Sequence, residues 1–105
     1  LARRFRERGH EAKALCLFAA VHARQESGGH EARRLYREAM ALADALGMRP
    51  LVARCRLDLG RLAVAAGERS AGYAEIERAA AAFRELDMPY WVAQGQLTLV
   101  SEPTA

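Results

Sequence analysis

Apolar residues recur along this chain at helical spacing and are interrupted by breakers at regular intervals. Over 30–46, Leu35, Ala39, Leu42 and Leu46 fall on one face, while Arg33, Arg34, Arg37, Glu38 and Asp44 point elsewhere. That pattern predicts an amphipathic helix with one buried stripe. Over 70–86 it returns as Ile76, Ala79, Ala80, Phe83 and Leu86 against Glu75, Glu77, Arg78 and Glu85. Ala14 to Val21 is apolar all round, which predicts a helix covered on more than one side. Breakers stand at Gly9, Ser27-Gly28-Gly29, Gly47 to Pro50, Gly67 to Ser70 and Asp87 to Pro89, so helices are expected at about 10–26, 30–46, 50–66, 70–86 and 89–100.

One unit is written twice. Ala32-x3-Tyr36-x2-Ala39 aligns with Gly72-x3-Ile76-x2-Ala79 at an offset of 40, which also pairs Leu46 with Leu86, Met48 with Met88, Val52 with Val92 and Leu57 with Leu97. A repeat of this length is a stacked helical hairpin, so the expectation is an all-α α-solenoid. The single domain divides into 1–8 as the remnant of a preceding helix, 9–48 and 49–88 as antiparallel hairpins, and 89–100 as a carboxyl-terminal capping helix. Small residues at Ala19, Ala20, Gly60, Gly72 and Ala79 predict close helix–helix approach.

Composition supports helices over strands. Alanine supplies 23 of the 105 residues and arginine 15, with one lysine, Lys13, and 51% of the chain is hydrophobic. Strong helix formers therefore dominate, with enough apolar material for a core. The longest apolar run, Ala14 to Val21, is eight residues, against roughly 20 for a membrane span. Leu1 to Arg8 lacks a signal-peptide pattern, so the expected location is cytoplasmic and the membrane is excluded as a partner. Cys16 and Cys55 are expected as reduced core thiols.

The net charge of +3 is confined to the amino terminus. Arg3, Arg4, Arg6 and Arg8 against Glu7 account for it, and the other 97 residues hold 12 basic and 12 acidic groups. A neutral body offers no basic face for phosphates, so nucleic acid is excluded as a partner.

Several strings carry a family likeness. Leu59-Gly60 followed by Gly72-x3-Ile76-x2-Ala79 resembles the tetratricopeptide pattern, although Arg56, Ala63 and Gly72 stand where that pattern prefers tryptophan, tyrosine and alanine. Arg8-Gly9-His10-Glu11-Ala12, the run from Tyr36-Arg37-Glu38-Ala39 through Leu46-Gly47-Met48-Arg49-Pro50-Leu51-Val52-Ala53, and Phe83 to Trp91 are similar to the carboxyl-terminal helical repeats of large bacterial signalling ATPases. That group includes class III adenylate cyclases with an ATPase module and LuxR-type regulators. The resemblance covers about residues 5–100. It implies a non-catalytic tail that contacts a protein, a peptide or upstream domains of its own polypeptide. In LuxR-type members a DNA-binding helix-turn-helix closes the chain, and Ser101 to Ala105 supplies none, so the expected parent is cyclase-like.

Residue chemistry gives no catalytic or cofactor assignment. His10, His22 and His30 lack ligand spacing, and no Gly-x4-Gly-Lys-Ser/Thr phosphate loop occurs. His10 and His30 read as helix-start residues, His22 as a core-edge residue, and Ser27, Ser70 and Ser101 as helix caps. Glu75 and Glu77 are two apart on a helix and point in opposed directions, so they cannot act on one bond.

The candidate site is a protein-binding stripe, Arg54, Asp58 and Arg61, at i, i+4 and i+7 of the third helix. Two guanidinium groups suit carboxylates; the competing reading is a self-paired solvated face. Tyr90 and Trp91 read either as an interface anchor or as the packed start of the capping helix. Oligomerisation through the amino-terminal helix is the alternative role. One side of that helix is expected to lack cover, which puts Leu15, Leu17, Phe18 and Val21 at risk of exposure.

Overall fold

The computed structural model describes residues 2–101, and these form five helices: α1 (Ala2–Ala23), α2 (Gly29–Ala45), α3 (Arg49–Ala65), α4 (Arg69–Glu85) and α5 (Pro89–Ser101). No strand occurs among the described residues. The last four helices start and stop within a residue of the positions read from the breakers.

Three of the connections are built alike. Each is three residues long, and its middle residue is left-handed: Gly47 at φ 71°, Gly67 at φ 88° and Asp87 at φ 54°. The next N–H then reaches back over the helix end, Met48 N to Ala43 O at 2.8 Å, Glu68 N to Ala63 O at 2.9 Å and Met88 N to Phe83 O at 2.9 Å. This closure satisfies carbonyls that a helix end would otherwise leave open. Pro50 sits in the first turn of α3, where its missing donor costs nothing.

The first helix departs from the expected boundaries. α1 runs without a break through Gly9, so residues 2–8 belong to it and are not the end of a preceding helix. An interior glycine disfavours a helix by only about 1 kcal/mol, which tertiary contact readily overrides. Gly9 is buried beside Met48, and a Cβ there would stand 3.7 Å from the Met48 sulfur, an ordinary contact. His10 consequently lies inside a helix and starts none. At the other end α1 stops at Ala23 because Arg24 to Gly28 turns, with Gln25 N on His22 O and Gly28 N on Gln25 O. Ser27 and Ser70 do not cap: Gly28, Met48 and Glu68 hold the cap positions of α2, α3 and α4 without side-chain hydrogen bonds, and the side chain of Ser101 lies outside the described residues.

Each helix packs against the next in sequence, and α1 also touches α3. Two apolar clusters result. Ala12, Ala19, Leu35, Tyr36, Ala39, Ala43, Leu51 and Cys55 join α1, α2 and the start of α3. Ala53, Leu57, Val64, Ile76, Ala79 and Phe83 join α3 to α4, with Met88, Trp91, Val92 and Leu99 packed on them from α5 and its approach. Phe83, Leu57 and Ile76 are fully enclosed, and burial of such side chains contributes about 1.5–3 kcal/mol each.

The all-round apolar segment of α1 is covered on one side only. Leu17, Phe18 and Val21 remain 68%, 60% and 56% exposed. The 40-residue correspondence also weakens at the far end, since Leu57 is enclosed and its counterpart Leu97 is 61% exposed. Among the described residues, no helix lies beyond α5 to cover Leu97.

Candidate recognition cleft

A cleft of about 310 Å³ opens where α1 passes α3. Lys13, Cys16, Leu17 and Ala20 form its α1 side, Leu51, Arg54, Cys55 and Asp58 its α3 side, and Tyr36 reaches it from α2. The helical spacing of Leu51, Arg54, Cys55 and Asp58 explains why one stretch of α3 supplies all four.

Arg54, Asp58 and Arg61 share the predicted face of α3, but they do not converge on one point. Arg54 and Asp58 line the cleft, whereas Arg61 turns toward α5 and donates from Nε to Thr98 Oγ1 at 3.1 Å. Thr98 passes its own proton to the Gln94 carbonyl at 3.0 Å, which orients the hydroxyl as an acceptor. Arg61 Nη1 also stands 3.6 Å from Asp58 Oδ1. Part of the stripe is therefore used to dock α5.

Arg54 is held from the same direction. Its guanidinium carbon lies 4.8 Å from the centre of the Trp91 ring, a cation–π contact. Trp91 stacks on Phe83 with ring centres 5.7 Å apart and meets Tyr90 edge-on at 5.2 Å. Trp91 thus packs against the core and presents one face to Arg54, while Tyr90 is 65% exposed.

Burial and charge pull the cleft's titratable groups apart. Burial pushes the Asp58 carboxyl above its ordinary range, opposed by Arg61, the Tyr36 hydroxyl and Arg54. The Tyr36 hydroxyl is raised first by its own burial and then by Asp58, so it stays protonated and donates toward the carboxylate. Among the described residues, neither Lys13 nor Arg54 forms a salt bridge, although the charge of Arg54 acts on Asp58 across the same cleft.

Arg54 and Asp58 are legible in the sequence as site residues, whereas Lys13, Tyr36 and the thiols carry no mark of the cleft there. Cys16 and Cys55 lie 39 residues apart, one short of the 40-residue offset that aligns the two halves of the sequence. That near-coincidence is the available signal that they meet between α1 and α3.

His10 and His30 are exposed and His22 is half-buried. Among the described residues, no group of three or more potential ligands could hold a metal ion, and no helix is long and apolar enough to cross a membrane. No family model, curated protein or solved structure matches the chain.

Proposed function

We propose that the chain is a tetratricopeptide-like α-solenoid segment, without catalysis of its own, that contacts a protein, a peptide or upstream domains of the same polypeptide. Support for the solenoid comes from the three matching turns centred on Gly47, Gly67 and Asp87, and from helices packed in sequential order. The strings from Tyr36 to Ala53 and from Phe83 to Trp91 support a place in the carboxyl-terminal region of a bacterial signalling ATPase or adenylate cyclase.

The observation that carries the recognition reading is the α1–α3 cleft with Lys13 and Arg54 at its rim and Leu17 and Tyr36 beside them. Cations over an apolar lining suit an extended acidic segment or a carboxyl terminus. An array of short peptides bearing acidic side chains and free carboxyl termini tests this. Acidic peptides are expected to be retained, and Lys13→Gln with Arg54→Gln to weaken them about 10- to 100-fold, the range of a charge-assisted hydrogen bond. Arg78→Gln, at an exposed position of α4 and paired with Glu75, is expected to change nothing. Peptide retention without acidic preference, or equal loss with Arg78→Gln, removes the reading.

A second role, an element that joins protomers, is favoured by one observation: the exposed apolar stripe Leu17, Phe18 and Val21 on α1. Such a patch recruits a complementary apolar surface.

A further inference from the structure

α1 and α3 touch at few points, and one of them is a pair of thiols. Cys16 Sγ and Cys55 Sγ lie 3.1 Å apart, both free, and they are the two cysteines of the chain. A disulfide needs about 2.05 Å between the sulfurs, so roughly 1 Å of closure separates contact from bond. Their accessibility is unequal: Cys55 is 1% exposed, while Cys16 is half-buried and lines the open cleft beside Lys13, Leu17 and Arg54. A small reagent entering the cleft reaches Cys16 with Cys55 directly behind it.

We propose that Cys16 and Cys55 form a reversible redox pair in which a peroxide converts two thiols into a disulfide that ties α1 to α3. The roles follow from position. Cys16 is the attacking sulfur: the hydrogen bond from Cys55 and the charge of Arg54 hold its thiol below the ordinary range against the opposing effect of burial. Cys55 is the resolving sulfur, and the hydrogen bond it gives to Cys16, with burial, keeps its own proton on.

In the first step the Cys16 thiolate attacks one oxygen of hydrogen peroxide. The S–O bond forms as the O–O bond breaks, and the departing hydroxide takes a proton and leaves as water. Cys16 is then a sulfenic acid, and the thiolate that held the Cys55 proton is gone. In the second step Cys55 gives up that proton and its sulfur attacks Cys16 Sγ. The S–S bond forms, the S–O bond breaks, and the hydroxyl leaves with the proton as a second water. Each sulfur is oxidised by one electron and the peroxide is reduced to two waters. A dithiol reverses the change by exchange.

The bond would close a loop from Cys16 to Cys55 that contains all of α2. Cross-linking so long a segment restricts the unfolded chain and raises the melting temperature. Neither step involves a binding partner, so thiol counts and mass test the pair whether or not the peptide reading holds.

The test treats the full chain with one equivalent of hydrogen peroxide. Titratable thiols are counted after denaturation, the mass is measured, and a non-reducing gel and a melting curve are run before and after dithiothreitol. The expected result is loss of both thiols, a mass lower by two hydrogens, a band still at monomer size and a higher melting temperature, all restored by dithiothreitol. Cys55→Ser is expected to stop at a sulfenic acid that dimedone traps, and Cys16→Ser to react more slowly than either. Two thiols still present after peroxide, disulfides only between chains, or an internal disulfide that lowers the melting temperature would each overturn the proposal. The untreated and oxidised wild-type chain decides these outcomes even if a serine variant fails to fold.

Discussion

Gly60 and Gly72 face each other across α3 and α4 so closely that each occupies the space where the other's side chain would begin. A Cβ at Gly60 would stand 2.8 Å from the Gly72 carbonyl oxygen, and one at Gly72 would stand 2.8 Å from the Gly60 carbonyl oxygen. Both obstacles are backbone, which cannot rotate aside. Gly60→Ala and Gly72→Ala are therefore expected to destabilise by about 1–3 kcal/mol from overpacking, although alanine favours a helix by about 1 kcal/mol over glycine. Gly29, at the first position of α2 with open space around it, supplies the control, and Gly29→Ala should be neutral or stabilising. Urea unfolding of the three variants checks this; a Gly60→Ala protein as stable as the parent would remove the close-contact argument. Ala79, fully buried in the same cluster, is expected to reject leucine by a similar amount.

The turn after α4 holds a strained residue. Asp87 takes φ 54° at the position where the two preceding turns carry Gly47 and Gly67. Left-handed backbone costs an L-residue roughly 1–2 kcal/mol, less for aspartate than for most. Asp87→Gly removes that cost but adds flexibility worth about 0.5–1 kcal/mol to the unfolded chain. The expected net is a stabilisation of up to about 1 kcal/mol. Asp87→Val should lose stability outright, because a β-branched residue fits that region poorly. Thermal melts of the pair should move in opposite directions.

These two sites also show what the sequence could carry. Glycine and proline at Gly47, Pro50, Gly67 and Pro89 are backbone instructions, and the helix ends they mark came out within a residue. Gly9 looks the same on paper yet sits inside α1, buried against Met48, a residue from a distant turn. Packing of that kind has no local signature. The stripe of Arg54, Asp58 and Arg61 was legible as helical spacing, but the partners that divide it, Trp91 and Thr98, arrive only when α5 folds back on α3. Tyr36 read as a repeat position, and its second task beside Asp58 depends on the α2–α3 crossing.

A bidentate pair links α2 to the turn before α4, and it sets a pH dependence. Arg33 donates to both carboxylate oxygens of Glu68 at 2.8 and 3.0 Å, and those hydrogen bonds hold the Glu68 carboxyl below its ordinary range. A carboxylate lowered in the folded state adds stability that is present above its unfolded value, about 4.3 for glutamate, and is lost as pH falls through the folded value. The Glu68→Gln variant should melt below the parent at neutral pH, and the gap should close as the pH drops through the acid range. Salt should narrow it as well, because Glu68 is half exposed. Asp58 works in the opposite sense: burial raises its carboxyl, so its charge removes stability as pH rises through the window above its ordinary value. A gap for Glu68→Gln that widens toward low pH would contradict the assigned pair.

The exposed stripe on α1 leads to the last expectation, that the chain self-associates. Leu17, Phe18 and Val21 fall within an arc of about 100° at helical spacing, and more than half of each is exposed. Lysine or arginine would be the ordinary occupant of such a face; here the arginines of α1 gather at Arg3, Arg4, Arg6 and Arg8, and its one lysine, Lys13, stands a turn before Leu17 and outside the stripe. Mutual burial contributes about 1.5–3 kcal/mol for each side chain fully covered, part of which is spent on the lost freedom of the two molecules. Weak, concentration-dependent dimers follow, and light scattering between about 10 and 100 μM covers the range in which such association shows. Phe18→Gln with Val21→Gln should give a monomer across that range without a lower melting temperature, because neither side chain contributes to the buried core. Parent protein that scatters as a monomer throughout would show that the stripe alone does not drive assembly. A loss of stability in the double variant would show instead that these residues are covered in the folded chain.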